Sequence, residues 1–257
     1  MDSLIGCTGF VGGNLARQHE FGRLFNSANV ASAAGEKFDL VVCAAPSAVK
    51  WKANAEPEAD LKIIEKLMDS IKPIKTKKFV QISTVDVYPN PVGADEETEI
   101  DKTSLQPYGQ HRLMLEKFVR DNFPSHLIVR LPALFGPGLK KNFIYDMLHG
   151  NRLDLTDAYS EYQFYCLDWL WKDLSIALES GIALLNVTSK PVSAREVAAV
   201  CFGREFSNKT GKPPVRYDMR SVHCSLFGGN GGYLYGRKEV LGAISSFVKS
   251  ENEKRSG

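Results

Sequence analysis

The segment Leu4-Ile5-Gly6-Cys7-Thr8-Gly9-Phe10-Val11-Gly12 places three glycines, spaced Gly-x-x-Gly-x-x-Gly, directly after a short apolar run. Residues 14–18 continue it as a predicted helix. A strand that turns through glycines into a helix presents backbone N–H groups and the positive end of the helix dipole to a phosphate. The spacing is a variant of the dinucleotide-binding fingerprint, and the alternative is an ordinary glycine-rich turn.

Length, charge and cysteine content exclude several classes of protein. The 257 residues suffice for one α/β domain, or for a domain with a smaller lobe. The formal net charge of +2 and the scattered basic residues indicate no nucleic-acid partner. No apolar run approaches the roughly 18 residues that span a bilayer, and no secretion signal is visible, so we expect no membrane association. Five widely spaced cysteines indicate reduced thiols in a cytoplasmic protein, with neither a disulfide framework nor a metal site.

Apolar runs alternate with helical patterns along the first half of the chain. Strands are predicted at 38–45, 78–83 and 127–131, and helices at 59–71 and 105–123. This alternation predicts an α/β protein with a Rossmann-like, doubly wound parallel sheet.

The pattern changes after residue 138. We expect residues 1–138 to form the dinucleotide-binding domain, with segments near 160–188 returning to it, and residues 139–257 to form mostly a small C-terminal substrate-binding lobe. In such sheets the ligand lies beyond the carboxyl ends of the strands. The glycine turn, Ala44-Ala45-Pro46, Ser83-Thr84 and Pro132 all fall there.

A hydroxyl and a phenol are the candidates for proton transfer. Thr84 ends a predicted strand, and Tyr108 lies near the start of a long helix, with Arg112 four residues later. This arrangement suits proton exchange with a carbinol oxygen while a hydride moves to or from nicotinamide. Lowering a phenol pKa from about 10 to about 7 requires roughly 4 kcal/mol, about the Coulomb energy of one cation at ~4 Å and an effective dielectric of ~20. We therefore expect Arg112 to lower the pKa of Tyr108.

Several ordered motifs together resemble the extended short-chain dehydrogenase/reductase family, the NAD(P)-dependent nucleotide-sugar epimerases and dehydratases. The motifs are Gly6–Gly12, Ser83-Thr84-x-x-Val87-Tyr88, Tyr108-Gly109 with Glu116, Arg130–Pro137 and Gln163–Asp168.

The resemblance implies roles for individual residues. Gly6, Gly9 and Gly12, with the Phe10 and Val11 amides, would hold the cofactor pyrophosphate. Thr84 would bind the substrate oxygen, and Tyr108 would be the acid/base. Alternative readings are that Thr84 caps local backbone and that the Tyr108 hydroxyl lies at the surface.

Departures from the family pattern leave catalysis open. Arg112 stands where the family has lysine. With Tyr108 it is a candidate cofactor contact, because an arginine can bind ribose hydroxyls, but it cannot relay a proton. Ala133 stands where asparagine is frequent, and the chain is shorter than most relatives. The leading hypothesis is an oxidoreductase, epimerase or dehydratase acting on a nucleotide-linked sugar. The alternative is a cofactor-binding member without turnover, such as a redox sensor or scaffold. A separate alternative for Arg112 is that it faces solvent and pairs with Glu116 at i+4.

The cofactor and substrate contacts complete the set of candidates. No carboxylate follows the second strand, and Asn26 and Ser27 could donate to a 2′-phosphate, so there is a slight preference for NADP over NAD. The remaining cofactor candidates share positions at strand ends or turns: Thr8, Ala44, Ala45, Pro46, Ser83 and Pro132.

The substrate candidates are Lys50, Trp51, Thr84, Asp86 and Asn142. Packing of Trp51 against the next helix, turn capping by Asp86 and helix capping by Asn142 are the alternatives. His111 is expected to face solvent. A homodimer is left open.

Overall fold

The computed structural model describes residues 1–256 and divides into two compact units. The first unit comprises residues 1–89, 97–131 and 170–186. The second comprises residues 90–96, 132–169 and the chain from Val187 onward.

The helices and strands follow one another in a regular order. The strands are β1 (Asp2–Ile5), β2 (Arg23–Phe25), β3 (Lys37–Cys43), β4 (Lys75–Thr84), β5 (His126–Leu131), β6 (Ala133–Phe135), β7 (Glu161–Tyr162), β8 (Phe164–Cys166), β9 (Leu184–Asn186) and β10 (Val192–Ser193). The α-helices are α1 (Phe10–Gln18), α2 (Lys50–Ala55), α3 (Pro57–Ile71), α4 (Pro107–Asn122), α5 (Phe143–His149), α6 (Leu170–Glu179), α7 (Ala194–Phe202) and α8 (Arg237–Ser256).

A six-stranded parallel sheet organises the first unit, and the predicted doubly wound fold is confirmed. Its strand order is β2-β1-β3-β4-β5-β9. The order reverses between β1 and β3, so the crevice beyond their carboxyl ends is the position where ligands bind in this class of sheet. Gly6 follows β1 and Ala44 follows β3, so both lie at this point.

The helix α3 shows how the sequence builds the layer that covers the sheet. Pro57 occupies its first turn, where a missing N–H costs nothing, and Glu58 and Asp60 complement the helix dipole. Its buried face carries Asp60, Ile64, Leu67 and Ile71 at helical spacing. The last three join the apolar core beneath the helix, so Asp60 is the charged member of an otherwise apolar face.

A buried ion pair joins α4 to the centre of the sheet. Glu116 is fully buried, and its two carboxylate oxygens accept from Arg130 Nε at 3.0 Å and Arg130 Nη2 at 2.7 Å. Arg130 Nη1 donates to the Tyr88 hydroxyl at 2.6 Å, and Ser83 Oγ donates to Glu116 Oε1 at 2.6 Å. Thus α4, β4 and β5 are fixed by one network. Glu116 is therefore committed to Arg130, with an added contact from Arg120 at 3.1 Å.

The second unit is built from two small sheets with helices. β6 pairs with β8 in parallel, and β7 pairs with β10 in antiparallel orientation. Ser193 caps α7 by accepting from the Glu196 N–H at 3.1 Å. In the part of the chain that the structure describes, none of the helices has both the length and the hydropathy of a bilayer-crossing segment.

Removal of the Glu116 carboxylate should destabilise the protein strongly. Glu116→Ala leaves the Arg130 charge buried without its partner, so we expect the free energy of unfolding to fall by about 3–5 kcal/mol. Lys117→Ala is the matched control, because Lys117 is the next residue, is exposed and pairs only with Asp121 at i+4. The control should cost about 0.5 kcal/mol or less. Urea denaturation measures the free energy of unfolding of both variants. Equal losses would contradict the claim that Glu116 and Arg130 form a stabilising buried ion pair.

Candidate active site

The glycine turn after β1 requires glycine at two positions for steric reasons. Gly6 has a φ of +85°, and a Cβ there would lie 2.9 Å from the Ala44 carbonyl carbon. A Cβ on Gly12 would lie 2.1 Å from the Gly6 carbonyl oxygen. The first glycine therefore permits the turn against β3, and the third permits α1 to approach the turn.

The start of α1 has the features of an anion site. Gly9 is the N-cap and supplies no side-chain cap, and the first turn, which includes Phe10 and Val11, carries no acidic residue. The amide groups of this first turn have no acceptor within the helix. Thr8 and Gly9 are exposed. Backbone N–H groups in this arrangement can bind an anion.

Residues 26–29, which directly follow β2, contain no carboxylate. The side-chain oxygen of Asn26 accepts from the Ala28 N–H at 2.8 Å, and the Asn26 N–H donates to Asn29 Oδ1 at 2.7 Å. Ser27 is exposed. The Asn26 oxygen therefore shapes the loop, while the Ser27 hydroxyl lies at the surface.

The loop after β3 is held by side chains from neighbouring elements. The Ala45 carbonyl accepts from Gln81 Nε2 at 3.0 Å, and the Ala45–Pro46 peptide is cis. Ala44, Ala45 and Pro46 are half-buried. Pro132 directly follows β5 and is also half-buried.

Tyr108 lies in the first turn of α4, and its side chain is buried, with 3% exposed. Its N–H donates to Asn54 Oδ1 at 3.0 Å, and the Thr84 hydroxyl lies close enough to the phenol to lower its pKa. Thr84 Oγ1 also accepts from the Asp86 N–H at 3.1 Å. The structure thus brings together Thr84 and Tyr108. Thr84 also caps local backbone. The alternative that places the Tyr108 hydroxyl at the surface is wrong, because the side chain is buried.

A close backbone approach fixes α4 against the end of β4. A Cβ on Gly109 would lie 2.5 Å from the Asp86 carbonyl oxygen. The residue after Tyr108 must therefore be glycine for the helix to start so near the turn that carries Thr84. This contact sets the position of the phenol relative to the hydroxyl.

Arg112 is buried and is held by α3 and the loop after β3. Its Nη1 donates to Asp60 Oδ2 at 3.0 Å, and its Nη2 donates to Asp60 Oδ1 at 3.2 Å and to the Ser47 carbonyl at 3.0 Å. Its guanidinium carbon lies 4.5 Å from the centroid of the Tyr108 ring. The alternative in which Arg112 faces solvent and pairs with Glu116 is therefore wrong.

The expectation for His111 is also wrong. Its Nδ1 lies 2.8 Å from Asp60 Oδ2, and only 11% of its side chain is exposed. Helical geometry points His111 away from Tyr108, but Asp60 of α3 lies on that side and contacts it. Although burial opposes its charge, hydrogen bonds from Arg112 and His111 hold the pKa of Asp60 below its ordinary value.

The pKa of Tyr108 is raised, contrary to the expectation from sequence. Burial is the main cause, because it removes water from the phenolate, and the charge of Asp86 acts in the same direction. The charge of Arg112 and the hydrogen bond from Thr84 lower the pKa but do not outweigh burial. One cation at i+4 in the sequence reveals neither the loss of water around the phenol nor the nearby carboxylate of Asp86.

Lys50, Trp51 and Asp86 differ in their surroundings. Lys50 Nζ lies 2.7 Å from Asp86 Oδ1. Trp51 is 71% exposed, so the alternative of packing against the next helix is wrong. The Asp86 carboxylate contacts a cation, while its N–H makes the turn contact with Thr84.

Asn142 belongs to the second unit, where both ends of its side chain contact backbone. Its Oδ1 accepts from the N–H groups of Ile144 and Tyr145 at 2.9 and 3.2 Å, and its Nδ2 donates to the Leu134 carbonyl at 2.8 Å. Its φ of 106° lies in the left-handed region. These contacts favour the helix-capping alternative. Within residues 1–256, no group of three or more His, Cys, Asp or Glu side chains could hold a metal ion.

Sequence reasoning missed Asp60, Asn54 and Ser47. Asp60 had a detectable signal, because it lies on the apolar stripe of α3 one turn before Ile64. A carboxylate at such a position requires a buried partner. Asn54 and the Ser47 carbonyl had no comparable signal, since their contacts depend on how α2 and the loop after β3 meet α4.

Two adjacent glycines allow a matched test of the turn. Gly12→Ala should lower the free energy of unfolding by at least about 2 kcal/mol, because its Cβ would overlap the Gly6 carbonyl. Gly13→Ala should be neutral or stabilising by up to about 1 kcal/mol, since its Cβ would lie 3.6 Å from the nearest atom and alanine favours the helix. Thermal or urea unfolding measures both. Equal tolerance of the two changes would contradict the described turn.

Comparisons with known proteins agree with this architecture. The dTDP-4-dehydrorhamnose reductase of Clostridium acetobutylicum is 17% identical, with a TM-score of 0.72, over 98% of this chain and 100% of that chain. The UDP-glucose 4-epimerase of Thermotoga maritima, solved with UDP-glucose, is 16% identical, with a TM-score of 0.68, over 99% of each chain. The UDP-glucuronic acid 4-epimerase of Bacillus cereus, solved with NAD, is 18% identical, with a TM-score of 0.70, over 97% of each chain.

At these identities the likeness concerns the fold. No curated protein sequence matches the chain. The model of the NAD dependent epimerase/dehydratase family matches residues 14–153, which is more than half of the chain. The chain therefore belongs to the NAD dependent epimerase/dehydratase family.

Proposed function

We propose that the chain binds NAD or NADP and acts as an oxidoreductase, epimerase or dehydratase on a nucleotide-linked sugar, with Tyr108 as the acid/base. The observation that carries this proposal is the burial of the Tyr108 phenol close to the Thr84 hydroxyl at the end of β4. Because the sheet is parallel, this position lies at the same edge as the glycine turn after β1. The relatives solved with UDP-glucose and with NAD support the choice of ligands.

The cofactor would be held by backbone at the start of the first unit. Gly6, Gly9 and Gly12 keep the turn open, and the Thr8, Phe10 and Val11 amides would face the pyrophosphate. Further cofactor contacts would come from loops at the same sheet edge, where the candidates are Asn26, Ser27, Ala44, Ala45, Pro46 and Ser83. Pro132, which follows β5, is one more candidate. The absence of a carboxylate from residues 26–29, directly after β2, gives a slight preference for NADP. When bound, the nicotinamide supplies the hydride donor or acceptor.

Tyr108 is suited to donate a proton when a carbonyl is reduced. Its raised pKa keeps the phenol protonated at neutral pH. The phenol would donate its proton to a carbonyl oxygen that gains negative charge during reduction, which would give an alcohol. The Thr84 hydroxyl would donate a hydrogen bond to the same oxygen. Arg112, above the ring of Tyr108, stabilises the phenolate that remains.

The substrate would be bordered by Lys50, Trp51 and Asp86, which follow β3 and β4. The exposed indole of Trp51 offers an apolar face for a sugar or base. A contact of Asn142 with substrate would require its capping hydrogen bonds to break, so we leave Asn142 out of the proposed site.

A cofactor-binding protein without turnover is the second candidate, and the contacts of Arg112 favour it. The Nη groups of Arg112 make three hydrogen bonds, to Asp60 and to the Ser47 carbonyl, so these donors are used within the protein rather than for a ligand. Binding of cofactor with no activity on any nucleotide sugar would support this candidate.

A screen of nucleotide sugars and 4-keto sugars with NADPH and NADH tests the proposal, with Tyr108→Phe as the variant. Tyr108→Phe should lower kcat by about 10²–10⁴-fold, because the proton donor is lost. Its Kd for cofactor, measured by calorimetry, should stay near that of the wild type. An active Tyr108→Phe enzyme would exclude the mechanism.

The pH dependence distinguishes the two directions of reaction. Because a raised pKa favours the protonated phenol, reduction should stay level through neutral pH and fall only beyond the ordinary phenol pKa of about 10. Oxidation requires the phenolate, so its rate should rise about tenfold per pH unit below that pKa. A reductive rate that falls between pH 6 and 8 would contradict the assignment of Tyr108 as the acid.

A further inference from the structure

Two ion pairs join the elements around Tyr108. Arg112 of α4, whose guanidinium carbon lies 4.5 Å from the centroid of the Tyr108 ring, is paired with Asp60 of α3, which also contacts His111. Lys50 of α2 is paired with Asp86, in the turn that follows β4. The first pair is buried, whereas 45% of the Lys50 side chain and 22% of the Asp86 side chain are exposed. The second pair is therefore the one that solvent and ligands can reach.

The position of Lys50 is set by the docking of α2 onto the start of α4. Asn54 accepts from the Tyr108 N–H at 3.0 Å and donates to Gln106 Oε1 at 2.8 Å. Lys50 lies four residues before Asn54 and so shares its helical face. The helix face that binds the backbone of Tyr108 therefore also carries the ammonium group.

Asp86 is held more rigidly than Lys50. Its N–H donates to Thr84 Oγ1 at 3.1 Å, and its carbonyl oxygen lies against Gly109 of α4, where no side chain would fit. The backbone of Asp86 is thus held between Thr84 and Gly109, which directly follows Tyr108 in the chain. The partner Lys50 approaches on a long side chain, with Nζ at 2.7 Å from Asp86 Oδ1.

We propose that the Lys50–Asp86 ion pair controls the proton affinity of Tyr108, its two members acting with opposite sign. The inference rests on the proposed function, in which Tyr108 is the acid/base. The Lys50 ammonium stabilises the phenolate, and the Asp86 carboxylate opposes it. Arg112 is a fixed charge partly compensated by Asp60. The exposed Lys50–Asp86 pair is therefore the second electrostatic control of the site.

The electrostatic contributions to the pKa of Tyr108 agree with these signs. Burial is the largest influence and raises the pKa, and Arg112 is the next and lowers it. Asp86 raises it and Lys50 lowers it, with the Thr84 hydrogen bond as a further lowering influence. Removal of one member of the pair should therefore shift the titration of Tyr108 in one direction, and removal of the other should shift it in the opposite direction.

The titration of a fluorinated tyrosine placed at position 108 tests this proposal. Ring fluorination lowers the phenol pKa into the range where the protein is stable, and ¹⁹F NMR reports position 108 alone. The measurement uses the full chain without cofactor or substrate. Lys50→Met should raise the midpoint by about half a pH unit or more, and Asp86→Asn should lower it by a similar amount. Lys50→Met combined with Asp86→Asn should lie between the two.

Two controls separate charge from structure. Lys50→Arg keeps the charge and should keep the midpoint near that of the wild type. Lys52→Met should leave it unchanged, because Lys52 on the same helix is exposed and pairs with Glu56. Circular dichroism verifies the fold of each variant, and Lys50→Gln replaces Lys50→Met if the latter does not fold.

Shifts of the same sign for Lys50→Met and Asp86→Asn, or no shift in either, would overturn the proposal. No turnover enters the measurement, so its failure is distinguishable from failure of the proposed function. If every nucleotide sugar is inert but the opposite shifts occur, the electrostatic inference stands and the enzymatic proposal falls. If turnover requires Tyr108 but the shifts are absent, the enzymatic proposal stands and the electrostatic inference falls.

Discussion

The ion pair between Arg112 and Asp60 is the interaction on which the candidate site depends. It joins α4 to α3 with two hydrogen bonds, and a third, from Arg112 to the Ser47 carbonyl, adds the loop after β3. The guanidinium then lies over the Tyr108 ring. Both charges are nearly excluded from water, so loss of either partner would cost about 3–5 kcal/mol. The charge beside the phenol is therefore part of the folded core.

This arrangement changes what the arginine can do. Because the Nη groups of Arg112 are hydrogen-bonded to Asp60 and Ser47, Arg112 acts on Tyr108 through its electric field and its packing against the ring. A second buried pair, Glu116–Arg130, fixes the same helix to β5 and orients Ser83. Tyr108 is thus carried by a helix held at two points by buried charges, and its burial keeps the phenol protonated at neutral pH.

The sequence predicted the elements whose signals are local. The glycine turn, the alternation of strands and helices, and the juxtaposition of Thr84 and Tyr108 each follow from short motifs and from the rule that parallel strands end at one edge. The partners of Arg112, Glu116 and His111 were not predicted, because Asp60 lies 52 residues from Arg112 and belongs to another helix. The direction of the Tyr108 pKa was also missed. It depends on the loss of water around the phenol, which one cation at i+4 does not reveal.

The most direct test of the account is the titration of fluorinated Tyr108 in the Asp60→Asn protein. Asparagine keeps an acceptor for Arg112 but removes the compensating charge, so Arg112 would act on the phenolate unopposed. The account predicts a lower midpoint than that of the wild type. An unchanged or higher midpoint would contradict the claim that the Arg112–Asp60 pair determines the charge beside Tyr108.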